Sequence, residues 1–246
     1  MSKIGVTDRG YSMSTHVAKR PKIPPLQPGD RLTRPEFERR YQAMPQVKKA
    51  ELIEGVVYMP SPVRFEAHGE EHSDLIGWLV VYKASTPGVR TGDNSTVRLD
   101  NENEPQPDVT LIIDPKFGGQ TALVDGYISG PPELVAEVSA STVSIDLHDK
   151  LRAYQRNGVA EYIVWRTEDG AIDWFVLREG KYEPLPPDAD GLWKSPRFPG
   201  LWLDGPAMAR GDMPAVFSAL HRGLVSPEHQ AFVDRVSTAT PGAPAE

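Results

Sequence analysis

Three charged residues stand where a charge is costly, and their types suggest chemistry. Asp108 is the last residue before Val109-Thr110-Leu111-Ile112-Ile113, a run that reads as a buried strand and follows the proline-interrupted "NEPQP". Glu137 lies in the middle of a second such run, "PELVAEVSAS" at 132–141. Strand side chains alternate, so Leu134, Ala136 and Val138 share one face while Val135, Glu137 and Ser139 share the other. Apolar residues on both faces mark a central strand covered on both sides. A carboxylate buried there unpaired is expensive, so it needs a cation, a metal or a water-filled cleft. A buried Arg or Lys would satisfy Glu137 structurally, and Asp108 alone would suit a turn. Together on two strands of one small sheet, however, they can converge. Two oxygen ligands with open positions suit Mg²⁺ (or Mn²⁺), which keeps several waters and accepts a substrate phosphate.

Lys150 is the third member. It lies in "IDLHDKLRAYQRNG", where Leu147, Leu151, Ala153 and Tyr154 recur at helical spacing, so it borders the apolar stripe. A surface pair with Asp146, four residues back, would contribute only a few tenths of a kcal/mol. Reaching back over the sheet instead, its ammonium could orient a water or offset charge developing on a phosphorane.

The elements that must hold these residues follow from periodicity. Thr33-Arg34-Pro35-Glu36 predicts a helix start, with the helix running to about Met44. Leu52, Val56 and Tyr58 around Gly55 predict a bent strand or hairpin. His72, Leu75, Ile76, Leu79, Val80 and Lys83 give one apolar helical face over 68–84, ended by "TPG" at 86–88. Strands are expected near 95–99, 108–113 and 133–139, with turn-rich segments between the last two. Ser144 to Asn157 reads as a helix stopped by Gly158. "EYIVW", "AIDWFVL" and "KYEPL", separated by "EDG" and "REG", form a meander, and "FPGLWLD" adds a short strand. Helices over 206–222 and 227–236 close the chain. The expected fold is a mixed α/β domain, an α+β mixed sheet flanked by helices. Its divisions are an unfolded, basic, proline-rich arm (1–30), a main domain (31–204), a C-terminal helical extension (205–236) and a disordered tail (237–246).

The 246 residues suffice for one such domain with extensions. With no cysteine, disulfides and thiolate metal sites are excluded, in keeping with a reducing, cytoplasmic setting. The longest apolar run, Leu75 to Tyr82, is too short to span a membrane, and no signal-peptide core opens the chain. The net charge of −7 argues against a dedicated nucleic-acid coat protein. It is uneven: Lys3, Arg9, Lys19, Arg20, Lys22, Arg31 and Arg34 against Asp8 and Asp30 leave residues 1–35 at +5 and the rest at −12. That arm reads either as a solvated tail or as a phosphate-seeking segment.

Several motifs occur in register with one family. "LTRPEFERRY", "AELIEGVVYMPSP", "HSDLIGWL", "QPDVTLI", "PELVAEVSASTVSIDLHDKLRAYQRNGVAEYIVW" and "FPGLWLD", over roughly residues 32–204, resemble the Uma family of restriction endonuclease-like proteins in the PD-(D/E)XK nuclease superfamily. The resemblance implies a restriction endonuclease-like core and Mg²⁺- or Mn²⁺-dependent hydrolysis of nucleic-acid phosphodiesters, with DNA as partner. It makes Asp108 and Glu137 the metal-binding carboxylates. The superfamily's lysine two residues after the glutamate is Ser139 here, and the resemblance assigns its role to Lys150 on the next helix. Glu51, Glu54 and His72 match family positions near the cleft. The contrasting expectation is a non-catalytic binding or scaffold module on the same fold, as a homodimer, which the acidic body favours.

Overall fold

A computed structural model describes residues 23–59 and 69–238. Most of the basic arm and the expected C-terminal tail lie outside the described residues. Helix α1 (Arg34–Gln42) begins after Thr33, with Pro35 in its first turn, where a missing N–H costs nothing. Strands β1 (Glu51–Ile53) and β2 (Val56–Tyr58) form a hairpin. Its two turn residues, Glu54 and Gly55, both have positive φ, at 52° and 73°, as a tight two-residue hairpin turn requires. Helix α2 (Glu70–Ala84) follows, then β3 (Val89–Asp93), β4 (Val97–Arg98) and β5 (Val109–Ile113). The segment expected to be turn-rich contains the hairpin β6 (Ala122–Val124) and β7 (Tyr127–Ser129), folded at Asp125-Gly126.

Strand β8 (Leu134–Ser139) runs into a wide π-helical turn over Ile145–Lys150, continued by α3 (Leu151–Asn157). The meander β9 (Glu161–Arg166), β10 (Ala171–Arg178) and β11 (Lys181–Pro184) comes next. After it lie β12 (Trp193–Lys194), β13 (Trp202–Leu203), α4 (Gly205–Ala209), α5 (Met213–Leu224) and α6 (Pro227–Thr238).

The main sheet has six strands in the order β11-β10-β9-β8-β5-β3. Only β8 and β9 are parallel; the other neighbours are antiparallel, so the sheet is mixed. Strands β5 and β8 are buried along their whole length. One face packs Val109, Leu111, Ala136 and Val138 against Trp78, Leu79 and Tyr82 of α2, with Val216, Leu220, Phe232 and Val236 of the last helices joining the same core. The other face packs Val135, Tyr162 and Val164 against Tyr154 of α3. Glu137 is on that second face. The smaller sheet β4-β7-β6 stands apart from the six-stranded one.

A buried carboxyl ties α1 to the body. Glu104, 4 % exposed, exchanges backbone hydrogen bonds with Leu52, and its side chain lies beside that of Glu38 on α1. Burial first, then the Glu38 contact, push Glu104 up to about 8, against the pull of Arg98 and Arg34. A folded-state pKa raised above 4.5 stabilises the fold at low pH, and that contribution is lost as pH rises through about 8. Melting temperature is therefore expected to fall between about pH 5 and pH 8, and Glu104→Gln, which mimics the protonated form, is expected to make the fall shallower, with the buried Glu137 and Glu161, raised to about 8 and about 7, supplying the rest. A profile unchanged by Glu104→Gln would place the titration on other groups.

Candidate active site

Val109 pairs with Ala136, so Asp108, one residue upstream, emerges beside Glu137 on the neighbouring strand. Two contacts lock them together. Asp108 Oδ2 accepts a hydrogen bond from the Val138 N–H at 2.9 Å, and the Asp108 N–H lies 3.4 Å from Glu137 Oε2. The other oxygen, Glu137 Oε1, accepts from Lys150 Nζ at 2.9 Å and from the Tyr154 hydroxyl at 3.1 Å.

Lys150 is not at the border of its helix. It is 5 % exposed and is the hub of three ion pairs, to Glu137 at 2.9 Å, to Glu51 Oε1 at 3.2 Å and to Asp146 Oδ1 at 3.5 Å. The pair with Asp146 is therefore buried rather than on the surface, since Asp146 is 2 % exposed. Leu147 and Leu151, expected to define the inward stripe, are only partly buried, while Asp146, Lys150, Ala153 and Tyr154 are buried. The wide π turn spans both Asp146 and Lys150, and such turns recur at functional sites.

Glu51 enters from β1, where its Oε1 also accepts from the Gln106 N–H at 2.7 Å. Ser139 donates to Asp146 Oδ2 at 2.7 Å and so acts one residue removed from Lys150. His72 Nε2 lies 3.3 Å from the Asp108 carbonyl oxygen and 3.3 Å from Asp93 Oδ1. Glu54 is the exception. Its position in the β1–β2 turn directs the carboxylate to Arg156 at 3.0 Å and to Asn103, away from Glu137. Sequence reasoning missed Lys49, whose Nζ lies 3.4 Å from Asp108 Oδ1 and 3.1 Å from Asn94 Oδ1. The available signal was its spacing: two residues before Glu51, it falls on the same side of an extended segment.

The electrostatics follow from these contacts. Burial first, then the charges of Asp108, Asp146 and Glu51, push Glu137 up to about 8, despite Lys150. Burial pulls Lys150 down, but Glu137, Glu51 and Asp146 outweigh it and hold the ammonium well above its ordinary range. Burial and the Glu137 charge likewise keep the Tyr154 phenol protonated. Glu51, Asp108, Glu137 and Asp146 carry four formal negative charges against the two positive charges of Lys49 and Lys150. A divalent cation would remove that surplus. Among the described residues, no three His, Asp or Glu side chains form a ready-made metal cage. That arrangement still suits Mg²⁺, which is commonly bound by one or two carboxylates together with substrate phosphate and water.

The mixed six-stranded sheet flanked by helices is that of a restriction endonuclease-like fold. The family model described as "Uma2: Putative restriction endonuclease" matches residues 34–205, and the chain belongs to this family. The fold is similar to that of a solved structure, a putative nuclease belonging to DUF820 from Anabaena variabilis ATCC 29413. The TM-score is 0.50 at 13 % identity, over 76 % of this chain and 98 % of that one. No curated protein sequence matches this chain. Among the described residues, no helix is long and apolar enough to cross a membrane.

Proposed function

We propose that this protein is a metal-dependent endonuclease that hydrolyses nucleic-acid phosphodiester bonds, with DNA as its substrate. The observation that carries this reading is the meeting of Asp108, Glu137 and Lys150 around one point at the ends of β5 and β8. Asp108 and Glu137 would hold Mg²⁺ or Mn²⁺, because their hard oxygen donors and surplus negative charge match such an ion. When bound, that ion supplies a Lewis acid for the phosphate and lowers the pKa of a water. The residues of the chain do the rest. Lys150 holds the Glu137 carboxylate in place and offsets negative charge that builds up during attack. Tyr154 fixes the same carboxylate oxygen from the second side. Lys49, with 28 % of its side chain exposed, is the cation placed to meet an incoming phosphate.

One observation favours the contrasting reading, a non-catalytic binding or scaffold module. Asp108, Glu137 and Lys150 are only 3–5 % exposed, and Glu137 and Lys150 satisfy one another. A cleavage assay separates the two. The purified chain is incubated with single-stranded DNA, duplex DNA and RNA, each with Mg²⁺, Mn²⁺ or chelator, beside Asp108→Ala. The expected result is cleavage that needs metal and disappears in the variant. A folded protein that binds metal and cuts none of these substrates would leave the scaffold reading.

A further inference from the structure

A cavity of about 250 Å³ opens between the edge strand β3 and the β6–β7 hairpin. Its walls include Arg90, Gly92, Ser95, Thr110, Ile112 and Tyr127. Strand register puts it on the same sheet face as the candidate active site. Thr110 pairs with Gly92 on one side and Val135 on the other, and Ile112 pairs with Arg90. Cross-strand partners share a face, and Val135 shares its face with Glu137. Asp108 and Ile112 are four positions apart, roughly 13 Å at the rise of a strand. The cavity is therefore within reach of a polymer bound at the candidate site.

The walls are chemically mixed in a way that suits a flat, polar ring. The hydroxyls of Ser95 and Thr110 crowd over Gly92, so closely that a Cβ there would lie 2.6 Å and 2.8 Å from them. Tyr127 is 38 % exposed, and the Arg98 guanidinium braces its ring at 4.1 Å while also pairing with Glu38 at 2.9 Å. Arg90 stands at the rim, half-exposed, 3.4 Å from Asp114. Both arginines thus have carboxylate partners, and the cavity is not a phosphate cradle. Its volume is below the roughly 300–1,000 Å³ of pockets that take drug-sized molecules.

We propose that this cavity seats one unpaired nucleobase of the strand being cut, stacked on Tyr127 and hydrogen-bonded to the Ser95 hydroxyl. The substrate is then single-stranded nucleic acid. This rests on the nuclease reading above and deepens it. It also accounts for the acidic body. Gripping a duplex relies on many Lys and Arg contacts to phosphate, and residues 36–246 carry a net −12. Holding a single strand by stacking depends on an aromatic surface that any base can use. A base still stacked inside a duplex cannot enter a cavity of this size.

The test measures binding in the Asp108→Ala background, which separates binding from cleavage. The probes are a short fluorescent single-stranded DNA and the same sequence as a blunt duplex, read by anisotropy. The single strand is expected to bind more tightly. Tyr127→Ala is expected to weaken that binding about ten- to a hundredfold, and Tyr127→Phe, which keeps the stacking ring, to retain it. Thermal melting of both variants checks that the hairpin is intact. Equal binding by Tyr127→Ala, tighter binding of the duplex, or no binding of either probe would overturn the proposal. If the parent cuts duplex DNA and Tyr127→Ala cuts it equally well, this inference falls and the nuclease reading stands. If the single strand binds through Tyr127 but the metal-loaded parent cuts nothing, the base site stands and the nuclease reading falls.

Discussion

Lys150→Ala is expected to lower the cleavage rate by about 10²–10³ and, at the same time, to destabilise the fold by about 3–5 kcal/mol. The second effect follows from depth. Lys150 is the buried cation shared by Glu137, Glu51 and Asp146, and removing it leaves these buried carboxylates facing one another. A single variant therefore cannot distinguish a catalytic ammonium from a structural one. Combining Lys150→Ala with Glu137→Gln removes one of the stranded charges along with its partner, and it is expected to recover part of the lost stability without recovering cleavage. Chemical denaturation of the parent, both single variants and the double variant gives the coupling energy between the two positions. Single-turnover cleavage by the parent and Lys150→Ala, both well below their melting temperatures, gives the rate effect. Wild-type cleavage by folded Lys150→Ala would remove Lys150 from the mechanism.

Mg²⁺ or Mn²⁺ is expected to raise the melting temperature by about 5–10 °C when present at about a hundredfold excess over its dissociation constant. Binding to the folded state alone contributes about 2.7 kcal/mol at that excess. A chain of this length gains about 2–4 °C per kcal/mol. Burial first, then the charges of Asp108, Asp146 and Glu51, push Glu137 up to about 8 despite Lys150, and a divalent cation beside it would favour the carboxylate. Glu137→Gln is expected to abolish the metal shift. Without metal the variant is expected to melt somewhat below the parent, because Lys150 loses one of its three buried carboxylate partners and keeps Glu51 and Asp146. Differential scanning fluorimetry with Mg²⁺, Mn²⁺ and chelator reads both. A variant that keeps the full metal shift would place the ion elsewhere.

The parts of this architecture that were legible in the sequence are those where period and charge disagree. Asp108 and Glu137 were visible because each interrupts or guards an apolar run, and the meander was visible from its turn residues. Strand β3 was not: "VRTGD" has a glycine and three polar residues because it lies at the sheet edge, where only Val89 is buried. The β6–β7 hairpin was hidden for the same reason, with five of its six residues outside the core. At the site, the burial of Lys150 could not be read from helical spacing, because spacing ranks the apolar residues and the side that turns inward here carries Asp146 and Lys150. Glu51 came only from family resemblance. Lys49 meets Asp108 through a tertiary contact 59 residues apart, so its spacing from Glu51 could place it on a side of the strand but not against that partner.

The wide turn over Ile145–Lys150 also limits how this chain can change length. A π turn holds one more residue than the regular helix it interrupts. Closing it into ordinary α-helix at unchanged length would carry Tyr154 about 80° round the axis from Asp146, at about 100° per residue. Asp146 and Tyr154 could then no longer both face the strand that carries Glu137. The extra residue therefore works as a phase correction that keeps both ends of the helix aimed at one strand. A relative with a regular helix here should accordingly be one residue shorter between the positions of Asp146 and Tyr154.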